Sequence, residues 1–402
     1  MNNRFFHIHG LAITLIIFLF IGLVKLVTFQ SHYFDPFNNG MKDYEVTDII
    51  YSQLRDKERV KRETRIALVH VEKPTREELA AVLERIAAFS PAVIGVDILL
   101  RGEKDSLGDH ELRRVLDSIP NVVLAANLAP YVDSLKGIPE MIVSDSAFSG
   151  RVTSAYTNFL AGEDKTVRMF TPRLSTLDGQ THDAFGVALV RQYDDASVRR
   201  LLRRNNPAER IDYLGEYRSF LRKNGSDVLE ASEEELSVLF RDRIVMVGFA
   251  DSRDPDAPIE DRYFTPLNPV YTGRSIPDMY GMVIHANIVS MILDGRFIYE
   301  LPAWVRTLLI IAFTYFNVQI IHRIYHWLPD TFHGITRIMQ LIELLIFFFF
   351  VAFLFNEFRI KIDFSTGFLA LILAYDVVMI YESLIRKRIP FLNNVNYEDE
   401  NE

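Results

Sequence analysis

The sequence predicts an α/β domain, with helices on both sides of a mostly parallel sheet, joined to four transmembrane α-helices. Short apolar runs rich in Val and Ile alternate with amphipathic segments, a pattern typical of three-layer parallel sheets. Four further apolar runs are long enough to cross a bilayer. This segregation explains how 49% hydrophobic residues coexist with 24% charged residues.

The stretch from Arg65 to Leu99 gives the clearest evidence for the parallel sheet. Residues 65–71 and 92–99 are apolar, β-branched runs that predict buried strands. Between them, Thr75 and Glu78 have the spacing of a capping box, and apolar residues at helical period predict a helix over 76–89. Strand, helix and strand in this order are typical of a right-handed crossover connection.

The alternation continues along the chain. We predict further strands over 121–126 and 243–249, and helices over 46–54, 109–118, 183–192 and 282–294, the last closed by Gly295. Residues 196–227 are rich in Arg and Asn, and we predict a solvated insertion there.

Four transmembrane spans are predicted, over residues 10–29, 303–321, 338–355 and 364–384. A cleaved signal peptide is the alternative for the first span. We favour a retained anchor because the apolar run is long and no small-x-small cleavage site follows it.

The distribution of positive charge predicts the orientation of the spans. Arg4, Arg323, Arg337 and Arg386–Arg388 all lie on one side if both termini are cytoplasmic. Residues 1–9, 322–337 and 385–402 are then cytoplasmic, and residues 30–300 form an extracytoplasmic domain, which we expect to lie in the periplasm of a bacterium, with the spans in its inner membrane. The chain has no Cys, so this domain is held by an ordinary core.

Composition and motifs exclude several functions. The formal net charge of −9 gives no reason to expect nucleic acid. The sequence has no Gly-x-Ser-x-Gly elbow, no His-Glu-x-x-His and no phosphate-binding glycine loop, so we predict no enzyme, no cofactor and no metal site. A periplasmic metal-dependent hydrolase built from Asp97, Asp261 and His285 is retained as an alternative.

Five segments, in order, carry a resemblance to the second family of CHASE domains, which are extracytoplasmic sensory modules of bacterial receptors. The segments are Gly95–Leu99 after its strand and helix, Gly108-Asp109, Asp164–Arg168, Ile244–Gly248 with Asp261-x-x-x-Thr265-Pro266, and Gly281–Asn287. Three spans after the domain are also typical of the family. Val283 departs from the family pattern, which frequently has an acidic residue there.

This resemblance implies a sensor that binds an extracytoplasmic ligand or protein and forms a homodimer. Because the chain ends about 18 residues after the last span, we expect the output domain in a separate membrane protein partner. The alternative is a structural subunit of a cell-envelope complex that senses nothing.

Five residues are candidates for ligand binding: Asp97, Arg168, Asp261, His285 and Asn287. Asp97 ends a predicted strand, and ligands of parallel sheets bind beyond the carboxyl ends of strands. Asp261 closes an acidic loop. Structural roles remain the alternative for each, a turn cap for Asp97 and a core imidazole for His285.

Polar residues within the spans are candidates for coupling to a partner. Asp376 lies near the middle of the fourth span, where a charge is costly, so it should face another helix. Glu343 and Asn317 are the other coupling candidates, and Asn317 or Gln319 could pair with Asp376. The alternative is internal packing of the helix bundle.

Overall fold

The computed structural model divides into two compact units: an α/β unit over Asp43–Ile298, and a membrane unit formed by Met1–Lys42 and Tyr299–Glu402. The structure describes residues 7–30, 45–55, 62–102, 106–150, 152–161, 166–250, 261–268, 276–328 and 332–393.

The strands are numbered in chain order. They are β1 (Glu63–His70), β2 (Val93–Val96), β3 (Val122–Leu128), β4 (Met141–Ile142), β5 (Thr153–Tyr156), β6 (Leu160–Ala161), β7 (Val167–Phe170), β8 (Arg173–Ser175), β9 (Thr181–Asp183), β10 (Glu209–Arg210), β11 (Phe220–Asn224), β12 (Ile244–Gly248), β13 (Arg262–Tyr263), β14 (Met279–Tyr280), β15 (Tyr299–Glu300) and β16 (Ile360–Lys361).

The helices are numbered in the same way. They are α1 (Ile8–Gln30), α2 (Val46–Ile49), α3 (Arg76–Ala87), α4 (Ser106–Ser118), α5 (Ser146–Ser149), α6 (Phe185–Tyr193), α7 (Asp195–Leu202), α8 (Gly225–Glu230), α9 (Glu233–Phe240), α10 (Gly281–Asp294), α11 (Ala303–Trp327), α12 (Phe332–Phe358), α13 (Ser365–Ile380), α14 (Arg386–Arg388) and α15 (Pro390–Asn393). Turns of π-helix follow α2 over Ile50–Leu54 and α13 over Tyr381–Ile385, and a 3₁₀ turn covers Tyr217–Ser219.

The α/β unit is built on one seven-stranded sheet. Its order is β11-β1-β12-β2-β3-β4, with β5 also paired to β3. All of these pairings are parallel except that of β4 with β3. The central strands β2 and β12 are fully buried, as their continuous apolar runs predict.

Helices cover both faces of this sheet, so the predicted three-layer α/β fold is confirmed. On one face, α3 and α4 enclose a core that includes Val69, Val96 and Val247. On the other face lie α6 and α10. Gly95 of β2 points to that second face, where a Cβ atom would come within 3.0 Å of Phe185 in α6.

Most predicted elements of the α/β unit are present within a few residues of their predicted ends. The capping box that begins α3 is formed: Thr75 accepts from the backbone N–H of Glu78, whose carboxylate accepts from that of Thr75. The predicted solvated insertion at 196–227 is wrong. Within it, Phe220–Asn224 forms the edge strand β11, whose alternating burial gives a weaker apolar signal than a central strand.

In the described part of the membrane unit, four helices are long and apolar enough to cross a membrane, and they extend over Ile8–Leu26, Ala303–Trp327, Phe332–Phe358 and Ser365–Arg388. The chain is therefore a multi-pass membrane protein. Helices α1 and α11 both pack against α13 around a core that includes Ile13, Val318 and Ala374. Because α12 begins at Phe332, Arg337 lies within a helix rather than in a connecting loop.

Candidate ligand-binding site

A cavity of about 460 Å³ lies at the carboxyl edge of the sheet in the α/β unit. Asp97 follows β2 directly, Phe249 follows β12, and Asn127 is near the end of β3. These strands are parallel, so their carboxyl ends meet at one edge, where ligands of such sheets bind. The first turns of α10 close the cavity with Gly281, Met282 and His285.

The structure brings together three of the five predicted ligand-binding residues around this cavity, namely Asp97, Asp261 and His285. Asp251, Asp254, Asp256 and Glu260 of the acidic loop lie outside the described residues.

Two carboxylates give the cavity its electrostatic character. Burial, together with a smaller contribution from the Asp261 carboxylate, raises the pKa of Asp97 from its ordinary value of 3.8 to about 7. Burial, with the same two carboxylates, also raises the pKa of the Tyr263 hydroxyl. At neutral pH, Asp97 is therefore divided between its protonated and ionised forms.

His285 supplies a neutral imidazole to the cavity wall. It is 2% exposed and lies against the ring of Phe159, with the ring centroids 4.5 Å apart. Burial lowers its pKa to about 3, and the backbone of Thr157 offsets only part of that effect. Within the described part of the chain, neither ring nitrogen has a hydrogen-bond partner of good geometry, which is uncommon for a buried imidazole.

Gly248 links Asp97 to the start of α10. A Cβ atom at this position would lie 3.0 Å from the Asp97 Cβ and 3.1 Å from the Met282 Sδ. The cavity carboxylate and the first turn of α10 therefore come together only because residue 248 has no side chain.

The remaining two predicted residues do not line the cavity. The guanidinium of Arg168 donates to the carboxylate of Asp48 at 2.7 Å, and both side chains are buried. Burial raises the pKa of Asp48, although Arg168 opposes that effect. Arg168 thus ties β7 to α2.

Asn287 spans two segments of the backbone instead of facing the cavity. Its Oδ1 accepts from the N–H groups of Leu214 (2.7 Å) and Gly215 (3.1 Å). Its Nδ2 donates to the carbonyls of Gly215 (3.0 Å) and Val283 (2.8 Å). These contacts use the hydrogen-bonding capacity of the amide to join α10 to residues 214–215.

The end of α10 opposite the cavity carries a polar network that sequence analysis missed. Ser290 donates to Glu63 at 2.9 Å, and Arg296 donates to Ser290 at 3.0 Å. Arg296 also donates to Asp212 at 2.7 Å, and Asp212 accepts from the hydroxyl of Tyr51 at 3.0 Å. The C-terminal end of α10 is thus connected to β1 and to the segments around residues 51 and 212.

The C-terminal end of α10 is closed by Gly295, as the sequence predicts. Gly295 has a left-handed φ of +63°, and the N–H groups of Gly295 and Arg296 donate to the carbonyls of Ile292 (3.2 Å) and Met291 (3.0 Å). This pairing is a Schellman motif, so the predicted end of the helix at Gly295 is confirmed.

The polar residues of the membrane unit are paired differently from the prediction. Asp376 accepts a hydrogen bond from Arg337 at 3.0 Å, instead of pairing with Asn317 or Gln319. Both side chains of this pair are 51% exposed. Asn317 donates instead to Glu343. The prediction missed Arg337 because it placed that residue in a loop.

The fold and the cavity together define a multi-pass membrane protein that carries one α/β domain with a pocket at its sheet edge. The family model described as the CHASE2 domain matches residues 48–318. This match covers more than half of the 402 residues, so the chain belongs to the CHASE2 family.

CHASE2 domains are extracellular sensory domains, which supports a sensor role for this chain. The resemblance inferred from the five segments is thereby confirmed. No curated protein and no solved structure matches the chain.

Proposed function

We propose that this protein is a non-catalytic membrane sensor whose α/β unit binds a small polar ligand in the cavity at Asp97, Asp261 and His285. The proposal depends on one observation: two carboxylates and a buried imidazole meet at this pocket, and among the described residues the imidazole has no hydrogen-bond partner of good geometry. A ligand donor near His285 would satisfy a buried group that costs free energy when unpaired.

The chemistry of the cavity wall selects the class of ligand. Carboxylates, amides and hydroxyls line it, from Asp97, Asp261, Asn127, Asn158, Thr157 and Tyr263, and no Lys or Arg is among the described lining residues. Phe159 and Phe249 add two aromatic surfaces. This lining favours a neutral or cationic molecule that donates hydrogen bonds, such as an amine or a polyol. The volume of about 460 Å³ suits a small molecule.

Helix α10 provides a path for the signal. Its first turns line the cavity, and its 14 residues extend about 21 Å to the network around Ser290 and Arg296. Eight residues separate the end of α10 from the start of α11 along the chain. A ligand that favours one position of α10 would shift the equilibrium by its difference in affinity for the two states, typically about 1–3 kcal/mol.

The output would pass through a membrane protein partner, with both termini on the cytoplasmic side and the α/β unit in the periplasm of a bacterial cell. The exposed Arg337 and Asp376 pair supports this step, because a charged pair is costly against lipid and is better accommodated against another helix.

A screen of small polar compounds against the full-length protein in mild detergent tests ligand binding. Amines, polyols, amides and carboxylates are scored by the rise in unfolding temperature. A ligand of the proposed site should lose its effect in Asp261→Asn and in His285→Phe, but not in the control Asp227→Asn, which changes an exposed carboxylate outside the cavity. Hits that all persist in the cavity variants would contradict the proposal.

Affinity purification followed by mass spectrometry tests the output step. A co-purified membrane protein with a catalytic domain, retained by Leu345→Ala but lost with Asp376→Leu, supports a split sensor. Recovery of envelope-assembly proteins alone would favour a structural subunit instead.

A further inference from the structure

One end of the membrane unit contains a group of side chains suited to a metal ion. Among the described residues, the atoms of His322, His326 and Glu382 that could bind a metal all lie within 4.8 Å of one another. The two histidines are four residues apart and so share one face of α11, while Glu382 comes from the π-helical turn after α13.

We propose that His322, His326 and Glu382 bind a divalent transition metal ion, with Zn²⁺ the best match to two imidazoles and one carboxylate. This site is separate from the ligand cavity, and all three of its residues belong to the membrane unit. Two neutral imidazoles and a carboxylate form a common set of three protein ligands for Zn²⁺, which leaves the fourth position for water or another group.

Two of the three distances between the ligand atoms fit this coordination, and the third must lengthen. His326 Nε2 lies 3.3 Å from His322 Nε2 and 3.8 Å from Glu382 Oε1. Ligand atoms at about 2.1 Å from a tetrahedral metal lie about 3.4 Å apart. Metal binding would therefore require these two distances to change by less than about half an ångström. His322 Nε2 and Glu382 Oε1 are 2.6 Å apart and must separate by about 0.8 Å.

This short contact is the hydrogen bond that the metal would replace. His322 is fully buried and Glu382 is 6% exposed, so the proton between them is held away from solvent. A neutral imidazole binds a metal through its unprotonated nitrogen, so metal binding at His322 Nε2 would shift the ring proton to Nδ1, and the Glu382 carboxylate would bind the cation in place of that proton.

Neighbouring side chains hold Glu382 in position. Its second oxygen, Oε2, accepts from Arg386 at 3.1 Å, which leaves Oε1 directed to the two histidines. The preceding residue, Tyr381, has its hydroxyl 2.7 Å from His9 Nδ1. Such outer contacts orient metal ligands, and π-helical turns are frequent at functional sites.

A route for the ion is also present. The side chain of His326 is 27% exposed, whereas those of its two co-ligands are 0% and 5% exposed. The site therefore opens at His326, near the Arg386–Arg388 end of the bundle. A bound ion would join α11 to the turn after α13, so it would also stabilise this end of the bundle.

Cobalt titration of the full-length protein in mild detergent tests the proposal. The protein is first dialysed against a chelator and then titrated with Co²⁺, whose visible absorption reports tetrahedral coordination, and Zn²⁺ is added as competitor. We expect one Co²⁺ per chain with a tetrahedral spectrum, displaced by one equivalent of Zn²⁺.

Three variants make the test specific. His326→Ala and Glu382→Gln should each weaken binding at least about 100-fold, the upper end of the loss caused by removing an outer partner alone. His333→Gln is the matched control, since His333 lies on α12 and its ring contacts Tyr375 rather than the proposed ligands. It should bind Co²⁺ as the wild type does.

Two results would overturn the proposal. One is the absence of a tetrahedral Co²⁺ spectrum in the wild type. The other is unchanged binding in His326→Ala, the least buried ligand, whose folding is checked by size-exclusion chromatography and circular dichroism. If Glu382→Gln fails to fold, His326→Ala still decides the question.

Discussion

Replacing Asp97 with Asn should stabilise the α/β unit at neutral and alkaline pH, and less so as the pH falls. Burial and the Asp261 carboxylate raise the pKa of Asp97 to about 7 in the folded protein, against 3.8 as its ordinary value. Between these two values the folded state binds more protons than the unfolded state, so stability falls as pH rises. Below about pH 4 Asp97 is protonated in both the folded and the unfolded state, so it no longer lowers the stability of the fold.

The magnitude follows from the same pKa values. The difference between 3.8 and about 7 is roughly three pKa units, and each unit corresponds to about 1.36 kcal/mol. The ionised carboxylate therefore lowers the free energy of unfolding by up to about 4 kcal/mol above pH 7. Asp97 is partly open to the cavity, so solvent reduces this figure.

Asn has nearly the shape of Asp and no charge. The substitution therefore removes the destabilisation caused by the ionised carboxylate and keeps the packing against Gly248. For a unit of this size, 1 kcal/mol corresponds to about 2–4 °C in Tm. The upper limit of the expected rise at pH 8 is thus about 8–16 °C, and at about pH 5 the difference between the variant and the wild type should be much smaller.

Scanning calorimetry of the full-length protein in detergent, at pH 5 and pH 8, measures this difference. Asp117→Asn, which changes an exposed carboxylate on α4, is the control and should give the same small effect at both pH values. Asp261→Asn should lower the pKa of Asp97 and so reduce the pH dependence. The reasoning is refuted if the wild type is as stable as Asp97→Asn at pH 8, or if their difference is the same at both pH values.

Three further substitutions test the packing around α10 and β7. Gly295→Ala should cost about 1–2 kcal/mol because residue 295 has a left-handed φ of +63°, and an unchanged midpoint of urea unfolding would contradict this. Arg168→Met should cost about 3 kcal/mol or more by leaving the buried carboxylate of Asp48 unpaired, and adding Asp48→Asn should recover much of the loss in the same assay. Without recovery, the ion pair is not the cause. Asn287→Ala should cost about 1–3 kcal/mol and speed hydrogen exchange at the amides of 214–215, and unaltered exchange would argue against these bonds.

The fold could be predicted largely from sequence because its signals are local. The alternation of apolar strands and amphipathic helices requires no knowledge of distant partners, and neither does the length of the four apolar helices. The position of Asp97 at a strand end was enough to place it at the sheet edge, since parallel strands share that edge. Edge strand β11 was missed because one side of an edge strand is less covered, which weakens the apolar pattern.

Side-chain partners far apart in sequence could not be predicted. Arg168 contacts Asp48, 120 residues earlier, and Asn287 contacts residues 72 and 73 positions earlier. Asp376 pairs with Arg337, 39 residues away. In each case the residue type limits the partners to polar groups, but only the packed structure selects one of them. For the proposed metal site, the four-residue spacing of His322 and His326 is a local pattern that the sequence analysis did not use, whereas Glu382 lies 60 residues from His322.

The missing side chain at Gly248 also offers a way to hold the sensor in one signalling state. A methyl group there would need room that the Asp97 Cβ and the Met282 Sδ now fill, at 3.0 and 3.1 Å. Gly248→Ala would therefore force the cavity wall and the first turn of α10 apart from within the protein. The added methyl group would thus displace α10 permanently, as the proposed function expects a ligand to do reversibly. The expected phenotype is a receptor that no longer responds to its ligand and is either always active or always silent.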